Sequence, residues 1–383
     1  MVARNLLLDL MSIRVHCVAM SLSDVVNPSI LSQPVYEPGR PIDDVAREMG
    51  LDPHSIIKVA SNENPLGTSP LALAAMQEAL RSSHLYPDGG TVRLRDRIAE
   101  RHDVEPGQIV VGNGSNELIE LLGHVFLGPN DEVVMGTPAF IVYKLVTLLF
   151  GARPVEVPLK DHVHDLEAMA AAVSERTKLV FLPCPNNPTG TLNSSESVKR
   201  WIERLPERVI VVIDEAYAEY LDAETDWADL FTAGRRLVIL RTFSKIFGLA
   251  ALRVGYARTS PEIAALLQRA RQPFNVNAIA QAGALAALDD ENWVKSCRSA
   301  NLEGLKQLEE GLSLLELEWV KSAGNFVLIR VGDGAKTAQQ LQTEGIIVRP
   351  VGGYGLPEWV RISVGTSPEN SRLLAGLLKL KQR

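Results

Sequence analysis

Cysteine is scarce: Cys17, Cys184 and Cys297 are an odd number without paired spacing, which suggests neither a disulfide framework nor a thiolate metal site. A reducing cytoplasm fits such usage. Long apolar runs are missing from the start of the chain, where Arg4, Asp9, Arg14 and His16 break up any signal core or membrane span. Basic charge is not in excess, because the formal net charge is -7 and no local run builds the dense positive face that a polyanion demands, so nucleic acid is not expected as a partner. Internal repeats and low-complexity tracts are also lacking. What is present is 383 residues with 46% hydrophobic and 22% charged composition, enough apolar material for a large core and more than one domain.

The chain alternates helical and strand-like patterns from residue 115 onward. Helical patterns fall at 116–126, 140–149, 166–173 and 196–204, and short runs rich in Val, Ile or Leu fall at 132–135, 154–157, 179–182, 209–213, 237–240 and 253–257. That alternation predicts an α/β fold, a mostly parallel sheet sandwiched by helices. After Asn277 the pattern changes to long helical stretches through Leu315, strand-like runs at 326–330, 346–348 and 360–364, and a closing helix at 367–380, which reads as a smaller α+β domain. The expected divisions are a poorly ordered extension over 1–32, an arm over 33–65 with one helical pattern at 43–48, a large domain over 66–288 and a small one over 289–383.

Four stretches carry chemistry. The first, RTFSKIFGLAALRVGY at 241–256, puts Lys245 directly after a strand-like run, with Ser244 before it and Arg253 beyond. A lysine is a surface charge unless burial among other cations lowers its pKa, and here the neighbours suit an anionic phosphate while the amine approaches a carbonyl cofactor. The second, VIVVIDEAYAEY at 209–220, ends an apolar strand in Asp214, where open α/β sheets collect ligands. This carboxylate either caps a helix or pairs with a protonated ring nitrogen, which keeps a heterocycle effective as an electron sink. Tyr217 either packs in the core or reaches the cofactor's phenolic oxygen.

The third stretch is PNNPTG at 185–190, a tight turn after a strand, in which Asn187 presents an amide toward the same region. Cys184 beside it has no activating partner in the sequence and reads as a passive thiol. The fourth is GNGSNE at 112–117, either a plain glycine turn or a phosphate cradle at a helix start formed with Ser115 and Asn116. Phe140, near Pro138, suits ring stacking or the core. The histidines His162 and His164 lie in a polar connection without a nearby cysteine and read as a solvated loop, so no metal is expected.

Together these stretches resemble the fold type I aminotransferases, and within them the histidinol-phosphate aminotransferase family. The likeness runs from about Gln33 to the end and also includes VYEPGRPIDDVA at 35–46, ASNENPLG at 60–67, YPDGG at 86–90, RQPFNVN at 271–277, GNFVL at 324–328, VRPVGGYGLP at 348–357 and RISVGT at 361–366. The resemblance implies pyridoxal 5'-phosphate held by Lys245 as a Schiff base, Asp214 on the pyridine nitrogen, and Tyr217 and Asn187 on the phenolic oxygen. It assigns the cofactor phosphate to Ser115, Asn116, Ser244 and Arg253, with Tyr86 contributed by the other subunit of a homodimer, and ring stacking to Phe140 where many relatives have tyrosine. It implies that the arm packs on the small domain and the partner subunit. Arg361, Arg349 and the arm's Tyr36 would bind the substrate phosphate or a carboxylate, with Asn62, Glu63 and Asn187 nearby.

The implied reaction is reversible amino transfer between histidinol phosphate and 2-oxoglutarate, giving imidazole acetol phosphate and glutamate, a step of histidine biosynthesis. Alternatives on the same scaffold are an aromatic amino-acid aminotransferase, which differs mainly in pocket lining, and a decarboxylase of a phosphorylated substrate. An alternative of another class, a non-catalytic cofactor-binding regulator, needs an attached basic recognition helix, and nothing before Gln33 is long or basic enough.

Overall fold

The computed structural model describes residues 21–31, 33–36 and 38–382. Most of the expected extension, residues 1–20 and residue 32, therefore lies outside the described residues. Within 21–31 the chain forms a short 3-10 turn and the one-turn helix Pro28–Leu31, and the Ser29 hydroxyl and the Gln33 amide donate to the carbonyls of Leu149 and Leu145.

Thirteen strands are present among the described residues, in chain order β1 (Ile57–Lys58), β2 (Ile109–Gly112), β3 (Glu132–Thr137), β4 (Arg153–Pro158), β5 (Thr177–Pro183), β6 (Ile210–Asp214), β7 (Leu237–Thr242), β8 (Gly255–Thr259), β9 (Trp319–Val320), β10 (Phe326–Arg330), β11 (Ile346–Ile347), β12 (Arg349–Pro350) and β13 (Trp359–Ser363). Seven of them form one sheet in the order β2-β8-β7-β6-β5-β3-β4. Neighbours from β7 through β4 run parallel, as the alternating pattern predicts, whereas β8 is antiparallel to both β7 and β2.

Why these runs make a buried sheet is visible in β6. Its Ile210 and Val212 point into a core shared with Leu118, Ile119 and Leu122 of the helix Ser115–Phe126, while Val211 and Ile213 point to the other face, against Trp201 and Ile202 of the helix Ser195–Arg204. Period-two alternation with apolar residues at every position gives a strand that both layers cover. Each fully buried Val, Ile or Leu contributes about 1.5–3 kcal/mol.

β10 and β13 lead a second sheet, ordered β12-β13-β10-β9, whose apolar side packs on the helices Glu291–Leu314, Gly334–Thr343 and Ser367–Lys381. The arm joins this unit. β1 pairs in parallel with β11, and Val45 and Ala46 of the helix Ile42–Met49 pack on Ile347. The helical stretch after Asn277 divides at Asp290, which leaves helical geometry at φ -95, ψ 65, and whose carboxylate accepts from Trp293 N at 3.1 Å and the Ser69 hydroxyl at 2.6 Å.

Several features differ from the sequence expectation. Strand β2 and the helices Pro70–Leu80 and Val92–His102 occupy a stretch for which no elements were expected. Phe140 precedes its helix, which begins at Val142. Arg253 precedes β8 rather than lying within it, in a left-handed conformation at φ 54. His164 is buried rather than solvated, its ring lying where a Cβ on Gly136 would meet Cδ2 at 2.4 Å, and burial lowers its pKa to about 4.

Candidate active site

Because β3, β5, β6 and β7 run the same way, the segments that leave their carboxyl ends converge on one rim, and antiparallel β8 begins there. That rim holds a cavity of about 190 Å³ lined by Ser115, Asn116, Phe140, Asn187, Asp214, Tyr217, Ser244, Lys245 and Arg253, among others. It adjoins a second compartment of about 140 Å³, which adds Tyr36, Asn62, Arg349, Tyr354 and Arg361. The two share Phe140, Asn187, Tyr217 and Lys245.

Lys245 leaves β7 through Phe243 and Ser244, and its Nζ lies 3.3 Å from the Ser61 carbonyl. Burial, then Arg361 and Arg253, lower its pKa to about 8, against the opposing pull of Glu63 and Asp214. The amine is thus easily freed of its proton near neutrality. The turn that follows is pinned: Asn64 Nδ2 donates to the Ile246 carbonyl at 2.7 Å and the Thr68 hydroxyl to the Gly248 carbonyl at 2.8 Å. Gly248 sits at φ +69, where a Cβ would meet the Gly67 carbonyl at 2.1 Å, so no larger residue fits. Gly67, which ends ASNENPLG, has open space where a Cβ would go, and its own requirement is the left-handed backbone at φ +81.

Asp214 closes β6 and is buried. Its carboxylate takes hydrogen bonds from neutral donors, the Tyr143 hydroxyl at 2.6 Å and Ala216 N at 3.1 Å. Burial raises its pKa, partly offset by those bonds and by Lys245. A carboxylate in such a place is compensated best by a cation at the cavity side, and a proton-bearing ring nitrogen has the right charge and size.

An anion cradle lies at the end of the cavity formed by Ser115 and Asn116, which open a 12-residue helix with unpaired amides in its first turn. Arg253 donates to Ser244 Oγ at 3.2 Å and lies so close to Gly114 that a Cβ there would be 2.6 Å from its Nη2. Gly255 meets Ser115 N just as tightly, at 2.7 Å from an added Cβ. Two glycines therefore let the guanidinium and the helix start meet the cavity together.

Arg361, on β13, is buried, with Nη1 donating to Asn187 Oδ1 and Nη2 to the Ala60 carbonyl at 2.7 Å. Its Nε has no partner among the described residues, a buried donor suited to an incoming anion. Because Arg361 takes Asn187's oxygen, the amide nitrogen of Asn187 is left to face the cavity.

Not every expected residue is gathered here. Glu63 pairs with Lys58 at 3.1 Å and is not in the cavity lining. Asn62 lines the second compartment, but its amide is engaged by Tyr217 and Ser363. Tyr86 is exposed, stacked on Phe274 at 4.8 Å, and outside its own chain's cavity lining. The unanticipated lining residues include two tyrosines, Tyr143 beneath Asp214 and Tyr354 beside Arg361 and Arg349. A tyrosine three residues after Phe140 was the available signal for the first, and the GGYG turn for the second.

Comparison with known proteins places these groups in context. Residues 54–377 match the family model described as aminotransferase class I and II. The chain is similar to a histidinol-phosphate aminotransferase of Akkermansia muciniphila, 47% identical over 356 residues, 93% of this chain and 98% of the relative. It is 48% identical to another of that name from Methylobacillus flagellatus, over 92% of this chain and 96% of the relative. The fold resembles the crystal structure of histidinol-phosphate aminotransferase from Sinorhizobium meliloti in complex with pyridoxal-5'-phosphate, with a TM-score of 0.85 and 28% identity over 95% of this chain and 99% of the other.

Proposed function

Because the chain belongs to the class I and II aminotransferase family, we propose that it moves an amino group between histidinol phosphate and 2-oxoglutarate, with pyridoxal phosphate bound at Lys245. One observation carries the reading: a buried amine of lowered pKa and a buried carboxylate share one cavity, with an anion cradle at one end and the Arg361 guanidinium lining the adjoining compartment. The residues fit the cofactor's parts. Ser115, Asn116, Ser244 and Arg253 take its phosphate, Asp214 its ring nitrogen, Asn187 and Tyr217 its phenolic oxygen, and Phe140 lies against its ring.

When bound, pyridoxal phosphate supplies an electron sink for the carbon that loses or gains a proton during amino transfer. Lys245 Nζ would anchor it and, as a free amine, would carry the proton at that carbon. Asp214 would keep the ring nitrogen protonated by favouring its positive charge. Arg361, with Arg349 and Tyr36, binds the phosphate of one substrate and a carboxylate of the other, a planar fork serving both anions.

The same reading includes a homodimer. Leu71, Leu73, Leu80, Leu85 and Val92, close to Tyr86 in sequence, and Phe274, stacked on it, are exposed apolar side chains that a second copy would cover while Tyr86 reaches the partner's phosphate cradle. It also includes the division into an arm at 33–65, a large domain at 66–288 and a small one at 289–383. A cytoplasmic location accords with the free thiols Cys184 and Cys297.

The test is the visible spectrum of purified protein. Histidinol phosphate should abolish the lysine–cofactor band in favour of the amino form of the cofactor, and 2-oxoglutarate should restore it. Conversion by phenylalanine but not by histidinol phosphate would overturn the substrate assignment.

A further inference from the structure

Tyr217 sits among groups that decide which way its hydroxyl proton points. Asn62 Nδ2 lies 2.9 Å from the Tyr217 oxygen, and Asn62 Oδ1 lies 3.0 Å from Ser363 Oγ. Ser363 Oγ also receives the Asn62 backbone N–H at 2.7 Å. Having accepted there, the serine hydroxyl directs its one proton to Asn62 Oδ1, which fixes the amide with oxygen toward Ser363 and nitrogen toward Tyr217. Turned over, the amide would leave that proton without an acceptor among the described residues. Asn325 Nδ2 secures the same segment through the Asn62 carbonyl at 3.0 Å.

Asn62 itself is held at φ 55, the left-handed region that asparagine tolerates better than most residues, and is 1% exposed. A strained backbone and a three-residue network thus converge on one amide N–H.

We propose that Asn62 is a positioning residue for the cofactor: by donating to the Tyr217 oxygen it compels the tyrosine to spend its own proton on the cavity side, as donor to the cofactor's phenolic oxygen. This rests on the assignment of the cavity to pyridoxal phosphate. Ser363 sets the polarity of the chain of bonds, and because it lies two residues from Arg361 on β13, one strand of the smaller sheet supports both Asn187 and Tyr217. A donor on the phenolic oxygen shares its negative charge, so the oxygen holds the neighbouring lysine–cofactor proton less tightly and that chromophore titrates at lower pH.

The experiment is a pH titration of the visible band of the holoenzyme in a double-mutant cycle. Asn62→Gly removes the amide and accepts φ 55 without strain; Tyr217→Phe removes the hydroxyl. Each single variant should move the band's titration to higher pH, and the double variant should move it no further than Tyr217→Phe alone. Ser363→Ala should give a smaller shift in the same direction. Equal shifts from Asn62→Gly with and without the tyrosine hydroxyl, or no shift at all, would overturn the proposal, because a merely structural asparagine has no reason to act through Tyr217. If wild-type protein with added cofactor shows no lysine-dependent band, it is the cofactor assignment that fails instead.

Discussion

The Tyr143 hydroxyl donates to Asp214 Oδ2 across 2.6 Å, with the tyrosine fully buried and its ring stacked on Phe181 at a 4.5 Å centroid separation. This bond is one of two that support the buried carboxylate, and Tyr143→Phe would delete it without changing the ring's packing. Loss of a hydrogen bond to a charged group costs about 1.5–3 kcal/mol, so the variant should unfold at a lower temperature. The sign of its pH dependence is fixed by burial, which raises the Asp214 pKa. In the unfolded chain the group gives up its proton at about pH 3.9, so the folded protein loses stability as pH climbs from there through the raised folded value. Tyr143→Phe should extend that loss to higher pH, measured by thermal unfolding of the apoprotein across the acid range.

Lys245 gives the opposite slope. Its pKa is lowered to about 8, chiefly by burial and then by Arg361, while an unfolded lysine titrates at about 10.4. Between those values the unfolded state binds the additional proton, so the apoprotein should gain stability as pH rises from about 8 toward 10. Cofactor capture should slow by about tenfold for each unit below pH 8, as the free amine is depleted. Stopped-flow mixing with pyridoxal phosphate reads this, and Lys245→Ala should give no borohydride-fixed adduct by mass.

Gly114→Ala tests the cradle. The residue sits at φ +79 and its added Cβ would come 2.6 Å from Arg253 Nη2, so the substitution strains the backbone and displaces the guanidinium. At about 1–3 kcal/mol for such strain, cofactor affinity should fall roughly tenfold or more, measured by equilibrium dialysis, while the sheet core stays folded.

Arg361→Lys keeps the charge and loses the fork. Lysine cannot serve Asn187, the Ala60 carbonyl and an incoming anion together as the guanidinium does. KM for both the phosphorylated substrate and 2-oxoglutarate should rise by about tenfold or more, the equivalent of one or two charged hydrogen bonds, in steady-state assays.

The parts legible in the sequence were those where chemistry sits beside its own structural signal. Lys245, Asp214 and Asn187 each follow an apolar strand run within a few residues, and a run of strands flanked by helices implies the sheet whose rim gathers them. Contacts made across long separations were not legible. Tyr143 looks like a core aromatic because its partner is 71 residues away, and Asn62 looks like a substrate ligand because Ser363, which orients it, is 301 residues away. The burial of His164 likewise depends on Gly136, a residue of β3 that leaves room for the ring. The stretch holding Pro70–Leu80 and Val92–His102 was unassigned, although only the first, apolar on nearly every side, has weak helical periodicity; the second sets Leu94, Ile98 and Ala99 as an apolar stripe among charges.

β8 runs against its neighbour, so the peptide between Lys245 and Arg253 leaves the rim and returns to it within eight residues. Its course is held at Ile246 and Gly248 by the arm-end segment, leaving no slack to absorb a change in length. On the proposed reading, the spacing between amine and guanidinium is therefore set by the backbone to the length between the cofactor's aldehyde and its phosphate. Ile246, Phe247 and Leu249 along it are buried in the core, so adding or deleting a single residue would both unseat them and shift one group relative to the other.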